Sequence, residues 1–469
     1  GTDEFIYHSP EKHKEFPDVP VLSVYMDKSS EMWFEQKIPG QVFHFNPFNK
    51  KLKQEILRVE PAAAHRALPN FRVHEDANGY TWVHPYGGGF SFFDRKSNSL
   101  IPFFNDPTSH DWRFSNKIHS VYSDAQGNLW MCTHSKGLEK VSFHNSPFQM
   151  RTVTGMMAHE SLSNEVRALY EDSERNVWVG LKDGYLRVYD HTGKYKGYLG
   201  SDGRISLDGK SVMGVVYAIM QDKEGNLWLG TKGEGLICAV KRGDSYELIR
   251  YKNNADDMYS LSDDNVYSIH QDYNGRIWIA TFGHGIDYIE KRPDGTIAFI
   301  NHRNHLKNYP IDRCYRTRFI TSDESGRIWV GTTVGALTFD ADFKDPGDIV
   351  VEQYMHREGD DGSRSNNDVH WITVTGEKDI FLATFGGGLN RFIPSYDKRT
   401  PSRFESYTKE NGLSSDMLLS MQEDNEGNIW ICTENGISKF TISTGQFENY
   451  DRRSFNFQTR FNEAAVTQI

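Results

Sequence analysis

Between Leu261 and Glu290 the chain reads LSDDNVYSIHQDYNGRIWIATFGHGIDYIE, and its apolar and polar positions alternate with the period of a strand. Val266, Ser268 and His270 are expected on one face, Tyr267 and Ile269 on the other. The run from Asp272 to Gly275 predicts a tight turn. Asp opens it with a side-chain hydrogen bond and Gly takes the position with positive φ. Ile277, Trp278 and Ile279 read as a second, short apolar strand. Small Ala280 and Thr281 follow, and a turn at Gly283 and Gly285 leads into a third strand.

The pattern recurs along the chain. A turn followed by an aromatic places Trp33, Trp82, Trp130, Trp178, Trp228, Trp278, Trp329, Phe381 and Trp430 at steps of 49, 48, 48, 50, 50, 51, 52 and 49 residues. Two residues after the aromatic stands a small residue: Gly180, Gly230, Ala280, Gly331 or Ala383, with Cys132 and Cys432 in the same slot. That slot requires a small side chain against a neighbouring sheet, and Cys serves there as a small hydrophobe. A fourth apolar segment closes the repeat at 248–252, 351–355, 404–408 and 447–451. Four short strands in roughly 50 residues predict one blade of a β-propeller, with the aromatics buried between blades.

The fold class expected is therefore all-β, a propeller of four-stranded antiparallel blades in nine repeats. Residues 4–8 read as the end of a repeat, and 461–469 as the start of a tenth. Rings close at about four to eight blades, so nine repeats imply parts of two rings. The boundary is expected within 141–164. Residues 1–145 would be the last blades of a first propeller. Residues 146–469 would form a second, seven-bladed one with its final blade incomplete. A short helical turn is expected at most at 62–67.

Composition narrows the chemistry. The net charge is −11 with no basic run, which argues against a nucleic-acid partner. No apolar run approaches the roughly 18 residues of a membrane span, so a membrane would be met only through segments outside this sequence. The four cysteines match no metal spacing and are expected as free thiols. The turns lack the ligand spacing of a calcium loop, and no nucleotide or hydrolase motif occurs, so neither metal nor cofactor is expected.

Positions that break the repeat carry more information, because first strands line the channel of a propeller. Trp112 precedes one first strand, and Trp371 lies within another where Ala218 or Ser268 is the counterpart. Residues 312–318 (DRCYRTR) place Arg313, Arg316 and Arg318 with Tyr315 around a further first strand. Phe282 and His284 stand in the loop TFGHG, and Phe385 in TFGGG. Aromatic faces suit sugar C–H groups, and Arg suits hydroxyl or acid groups. The candidate ligand site is accordingly Arg313, Tyr315, Arg318, Trp371, His284 and Trp112. The competing reading is structural: Arg satisfies channel carbonyls and acids, and Trp fills gaps in the ring. No catalytic residue is marked. A propeller lyase or glycoside hydrolase, the alternative function, would have to recruit groups such as His284, His370 or Tyr315.

The segments 215–236 (VVYAIMQDKEGNLWLGTKGEGL), 265–286 (NVYSIHQDYNGRIWIATFGHGI) and 417–437 (MLLSMQEDNEGNIWICTENGI) resemble the two-component regulator propeller repeat. Residues 165–186 are similar, with Arg175 in place of Gly and Leu181 in place of Thr, and the lead-ins LSDD (261–264) and LSSD (413–416) fit as well. The resemblance covers about residues 70–469, and 1–69 weakly. It implies the periplasmic sensor region of a hybrid two-component regulator, in which two seven-bladed propellers precede a β-sandwich, a membrane span and a histidine kinase. It further implies an oligosaccharide as ligand and a homodimer in the full-length receptor. The β-sandwich, span and kinase have no counterpart in this sequence, and no ligand motif transfers residue by residue.

Overall fold

The computed structural model describes residues 11, 21–36, 40–60, 72–76, 79–85, 87–95, 97–104, 115–124, 128–134, 136–141, 148, 165–207, 211, 214–360, 362–395, 397 and 401–451. They are almost entirely strand and turn, arranged in nine antiparallel sheets whose strands follow one another in chain order. Seven sheets have four strands, one has three described strands and one has five. The helical content is a four-residue turn at Ile311–Cys314 and short 3-10 turns. The segments at 4–8, 62–67 and 461–469 lie outside the described residues.

Two compact units divide the chain, residues 1–145 and 146–469. The first holds three of the sheets, the second six. In the second unit Phe148 packs edge-on against Trp430 and Tyr450 of the last sheet, at ring distances of 6.0 and 5.0 Å.

Each blade is built around one local device. The aspartate that opens the turn uses both carboxylate oxygens. In the Trp228 blade, Asp222 Oδ1 accepts from the backbone N–H groups of Glu224 and Asn226 at 3.0 and 2.8 Å. Its Oδ2 accepts from the Trp228 indole N–H at 2.8 Å. The same Asp–Trp bond, six residues apart, recurs at Trp33, Trp82, Trp130, Trp178, Trp278, Trp329 and Trp430. The exception explains the rule: Phe381 has no N–H to satisfy, and Thr375 stands where the others have Asp.

Blades then stack face to face. Trp33, Trp178, Trp278 and Phe381 are fully buried and Trp82, Trp228 and Trp329 nearly so, as cores of the inter-sheet layers, whereas Trp130 and Trp430 are only partly buried. The small slot packs against the first-strand valine of the next blade: a Cβ on Gly230 would lie 2.6 Å from Val266 Cγ1. Cys432 occupies this slot as expected, whereas Cys132 is exposed. All four cysteines are free. Neighbouring blades are also stitched by side chains ending the first strand. Gln221 accepts from the Ser173 N–H, Gln271 from Lys223 and Glu423 from Gly376, each at 2.8 Å.

Candidate functional site

The first strands of the second unit share one irregularity. Their register slips between Val166 and Ala168, Val216 and Ala218, Val266 and Ser268, Thr317 and Phe319, Val369 and Trp371, and Leu418 and Ser420. Each strand therefore carries a β-bulge at the equivalent position, and a bulge re-aims a side chain. The bulged residues are Arg167, Tyr217, Tyr267, Arg318, His370 and Leu419. All except Arg167 line a cavity of about 220 Å³ enclosed by the six first strands.

This arrangement corrects the simple alternation expected of the strand after Asn265. Tyr267, Ser268, Ile269 and His270 all line the cavity. The bulge at Tyr267 puts Val266 and Ile269 in one core cluster, while Ser268 and His270 reach the next first strand at the Ile320 N–H and Ser322 Oγ.

Aromatic rings and guanidiniums interleave at the cavity. Tyr217 lies 4.9 Å from Tyr267, which stacks on Phe282 at 4.8 Å and 18°. Arg318 stands over Phe282 at 5.2 Å and Arg316 at 5.7 Å. From Phe319 onward, Trp371 packs on Phe319 at 4.2 Å, and His370 stacks on Phe385 at 4.9 Å. Arg318 is held by Asp368 through two bonds, Nε to Oδ1 at 2.8 Å and Nη2 to Oδ2 at 3.2 Å. His370 Nε2 lies 3.5 Å from the same carboxylate, at the outer limit of a hydrogen bond. Burial acts to raise the Asp368 carboxyl, but its contacts with His370 and Arg318 outweigh that and hold it below the usual range. Deeper in, His270 Nε2 lies 2.7 Å from Ser322 Oγ, and burial pushes this imidazole down to about 4. The inner wall is thus neutral at pH 7, and the fixed charge sits with the bulged and rim residues.

Of the residues singled out in the sequence, Arg318 and Trp371 line the cavity. Tyr315 is exposed, with the Arg316 guanidinium 5.2 Å over its ring. Arg313 is exposed on the helical turn Ile311–Cys314. The three guanidiniums of 312–318 therefore do not flank one strand. The strand begins at Thr317, and only Arg318 lies on it. His284 does not line the cavity. It is exposed on its loop, with Nδ1 3.2 Å from Asp263 and its ring stacked 6.0 Å from His302. Trp112 lies outside the described residues. Tyr217 and Tyr267 were missed. Their signal was the residue directly after the first apolar position of each first strand, which varies where the flanking positions repeat. Among the described residues no cluster of His, Cys, Asp and Glu could hold a metal ion, and no helix is long and apolar enough to cross a membrane.

Stacked four-stranded blades around a channel lined by their first strands define a β-propeller. The chain carries repeats of the two component regulator propeller family, whose model matches residues 113–135, 161–183, 212–233, 260–283 and 412–435. Similar solved structures include the extracellular domain of a putative hybrid two component system from B. thetaiotaomicron. It is 18% identical with a TM-score of 0.40, over 94% of this chain and 56% of that one. A second such domain from the same organism is 18% identical with a TM-score of 0.28, over 99% of this chain and 74% of that one. A virginiamycin B lyase from Staphylococcus aureus is 13% identical with a TM-score of 0.46, over 64% and 87%. The chain thus spans little more than half the length of the first of these. No curated protein matches the sequence.

Proposed function

We propose that the chain is the ligand-sensing region of an extracytoplasmic, periplasmic receptor of the two-component type. It binds an oligosaccharide at the channel of residues 165–451 and signals through a kinase carried elsewhere in the receptor, which acts as a homodimer. The family repeats support the sensor role. The observation that carries the site is the ring of bulged residues. Six blades spend a backbone irregularity at the same position, and five of the six side chains so presented line one cavity. Structural packing alone would be served by small residues there. Instead the ring offers Tyr217, Tyr267, Arg318 and His370, flat apolar faces beside hydrogen-bond donors. Concavity and a few convergent polar groups are what a small-molecule site requires.

The test is a glycan-array screen followed by calorimetry with the oligosaccharides retained. The Arg318→Ala, Trp371→Ala double variant should bind them at least about tenfold more weakly, or about 1.4 kcal/mol. It should keep a melting temperature well above that of Trp228→Ala. Normal binding by the double variant would place the site elsewhere. Product formation from the retained oligosaccharide would replace the sensor by a lyase or hydrolase.

A further inference from the structure

The protein as a whole is acidic, with 64 Asp and Glu against 53 Lys and Arg. Around the channel of the second unit, cations gather on aromatic rings. Tyr217, Tyr267 and Phe282 form a continuous ladder of rings. Cations stand at both of its ends. Arg167 and Lys232 lie over Tyr217 at 5.6 and 5.9 Å, and Arg316 and Arg318 over Phe282 at 5.7 and 5.2 Å.

The carboxylates at this rim pair with only some of those cations. Glu165 is shared between two of them, Arg167 and Lys182. Asp368 is committed to Arg318. Asp263 accepts from Asn265 and contacts His284, and Asp264 accepts from the Asn253 N–H. Among the described residues, Arg316 and Lys232 have no carboxylate within ion-pair distance, and both are exposed. A guanidinium resting on an aromatic face keeps its N–H edge outward. That edge is the surface that receives a carboxylate or sulfate in bidentate fashion.

We infer that the oligosaccharide bound here is anionic, with acid groups on its sugars engaged by Arg316 at one end of the ladder and Lys232 at the other. The inference rests on the oligosaccharide reading above and narrows it to acidic glycans. Ring faces of the sugars lie along Tyr217, Tyr267 and Phe282, and the acid groups project to the cations that border the ladder. A uronate carboxylate and a sulfate ester share this chemistry, since both present paired oxygens to a guanidinium.

The experiment is an array that carries neutral, uronate-containing and sulfated oligosaccharides in comparable chain lengths, with the 469-residue chain as probe. Retention is expected on acidic glycans alone, and the uronate and sulfate arms tell which acid is read. Calorimetry with the retained glycan should show affinity falling as salt rises from about 0.05 to 0.5 M, as screening predicts. Arg316→Gln and Lys232→Gln should each weaken binding by about three- to tenfold, the size of one charge-assisted contact, at unchanged melting temperature. A carboxyl-reduced or desulfated form of the same glycan should bind no better than the double Gln variant does. Retention of neutral glycans with equal affinity, or binding indifferent to salt and to both Gln variants, would overturn the acidic specificity and leave the sensor reading standing. Retention of no glycan in any arm would overturn the oligosaccharide reading, and the specificity with it.

Discussion

Arg364 is fully buried at the position that Leu261 and Leu413 occupy in two other blades. Its Nη2 donates to the Tyr354 carbonyl at 2.5 Å and to Asn367 Oδ1 at 3.4 Å, and the guanidinium lies 5.8 Å over the Phe404 ring. Nε and Nη1 are buried without an acceptor, and no carboxylate pairs with the charge among the described residues. Burial lowers the guanidinium to about 10, so it still carries its proton at neutral pH. A buried charge with unsatisfied donors is destabilising relative to an apolar residue of similar volume. Arg364→Leu restores the repeat's own residue, and denaturant unfolding should show a stability equal to or above that of the parent, by up to about 3 kcal/mol. A loss above about 1 kcal/mol would mean that the bonds to Tyr354 and Asn367 outweigh the burial cost. The sequence marked Leu261 and Leu413 as lead-ins to a first strand. It did not show that the homologous arginine would be enclosed, because enclosure is made by Tyr354 and Phe404 from other strands.

At the scale of the element, the unit of design is the turn together with the strand that follows. The DxxG turn was legible, and so was the burial of the aromatic. The hydrogen bond between them was not, since turn chemistry alone accounts for the aspartate. The internal comparison supplies the test, because one blade uses Thr375 with Phe381 in place of Asp with Trp. Asp222→Thr alone should orphan the buried Trp228 N–H and cost about 2 kcal/mol. Trp228→Phe alone should cost about 1–2 kcal/mol in lost packing. The two together should cost less than their sum by about 1 kcal/mol, since the partner is removed with the need for it. Denaturant titration of the four proteins closes the cycle, and strict additivity would show the bond to be incidental. Truncation further, by Trp228→Ala, should cost about 3–5 kcal/mol.

For the whole molecule, pH dependence follows from a carboxyl enclosed where lead-in and third strand meet. Asp287 is fully buried and accepts from Ser262 Oγ at 2.5 Å, the Ser262 N–H at 3.1 Å and Asn301 Nδ2 at 2.8 Å. The Ser365–Asn390 and Ser414–Ser438 contacts tie two other blades in the same way with neutral groups. Burial raises Asp287 from 3.8 to about 6, the donors opposing but not cancelling it. Between those values the folded protein holds a proton that the unfolded chain has released. The stabilising contribution is complete below pH 3.8 and is lost as pH rises through 6. The cost at neutral pH is on the order of 3 kcal/mol. Asp287→Asn, which copies Asn390, should remove this decline. Unfolding followed from pH 4 to 7 should show the difference between variant and parent growing with pH and levelling above 6. A constant difference would show that Asp287 stays ionised in the fold.

The amino-acid order by itself determined the periodicity, the four-strand repeat, the buried aromatics and the small slot facing the next blade. These are local patterns, read over one or two strands, and nine copies reinforce one another. It also brought Arg318 and Trp371 to notice, because a departure stands out against a repeat. Only the tertiary structure decided which side chains share the channel. The bulge slips the register after the first apolar residue of each first strand, and nothing in strand alternation predicts it. Through that slip Tyr217, Tyr267 and His370 join Arg318 at one cavity, while His284 falls outside its lining. Residues some fifty positions apart meet because successive blades close around an axis, and that convergence belongs to the ring rather than to any single repeat.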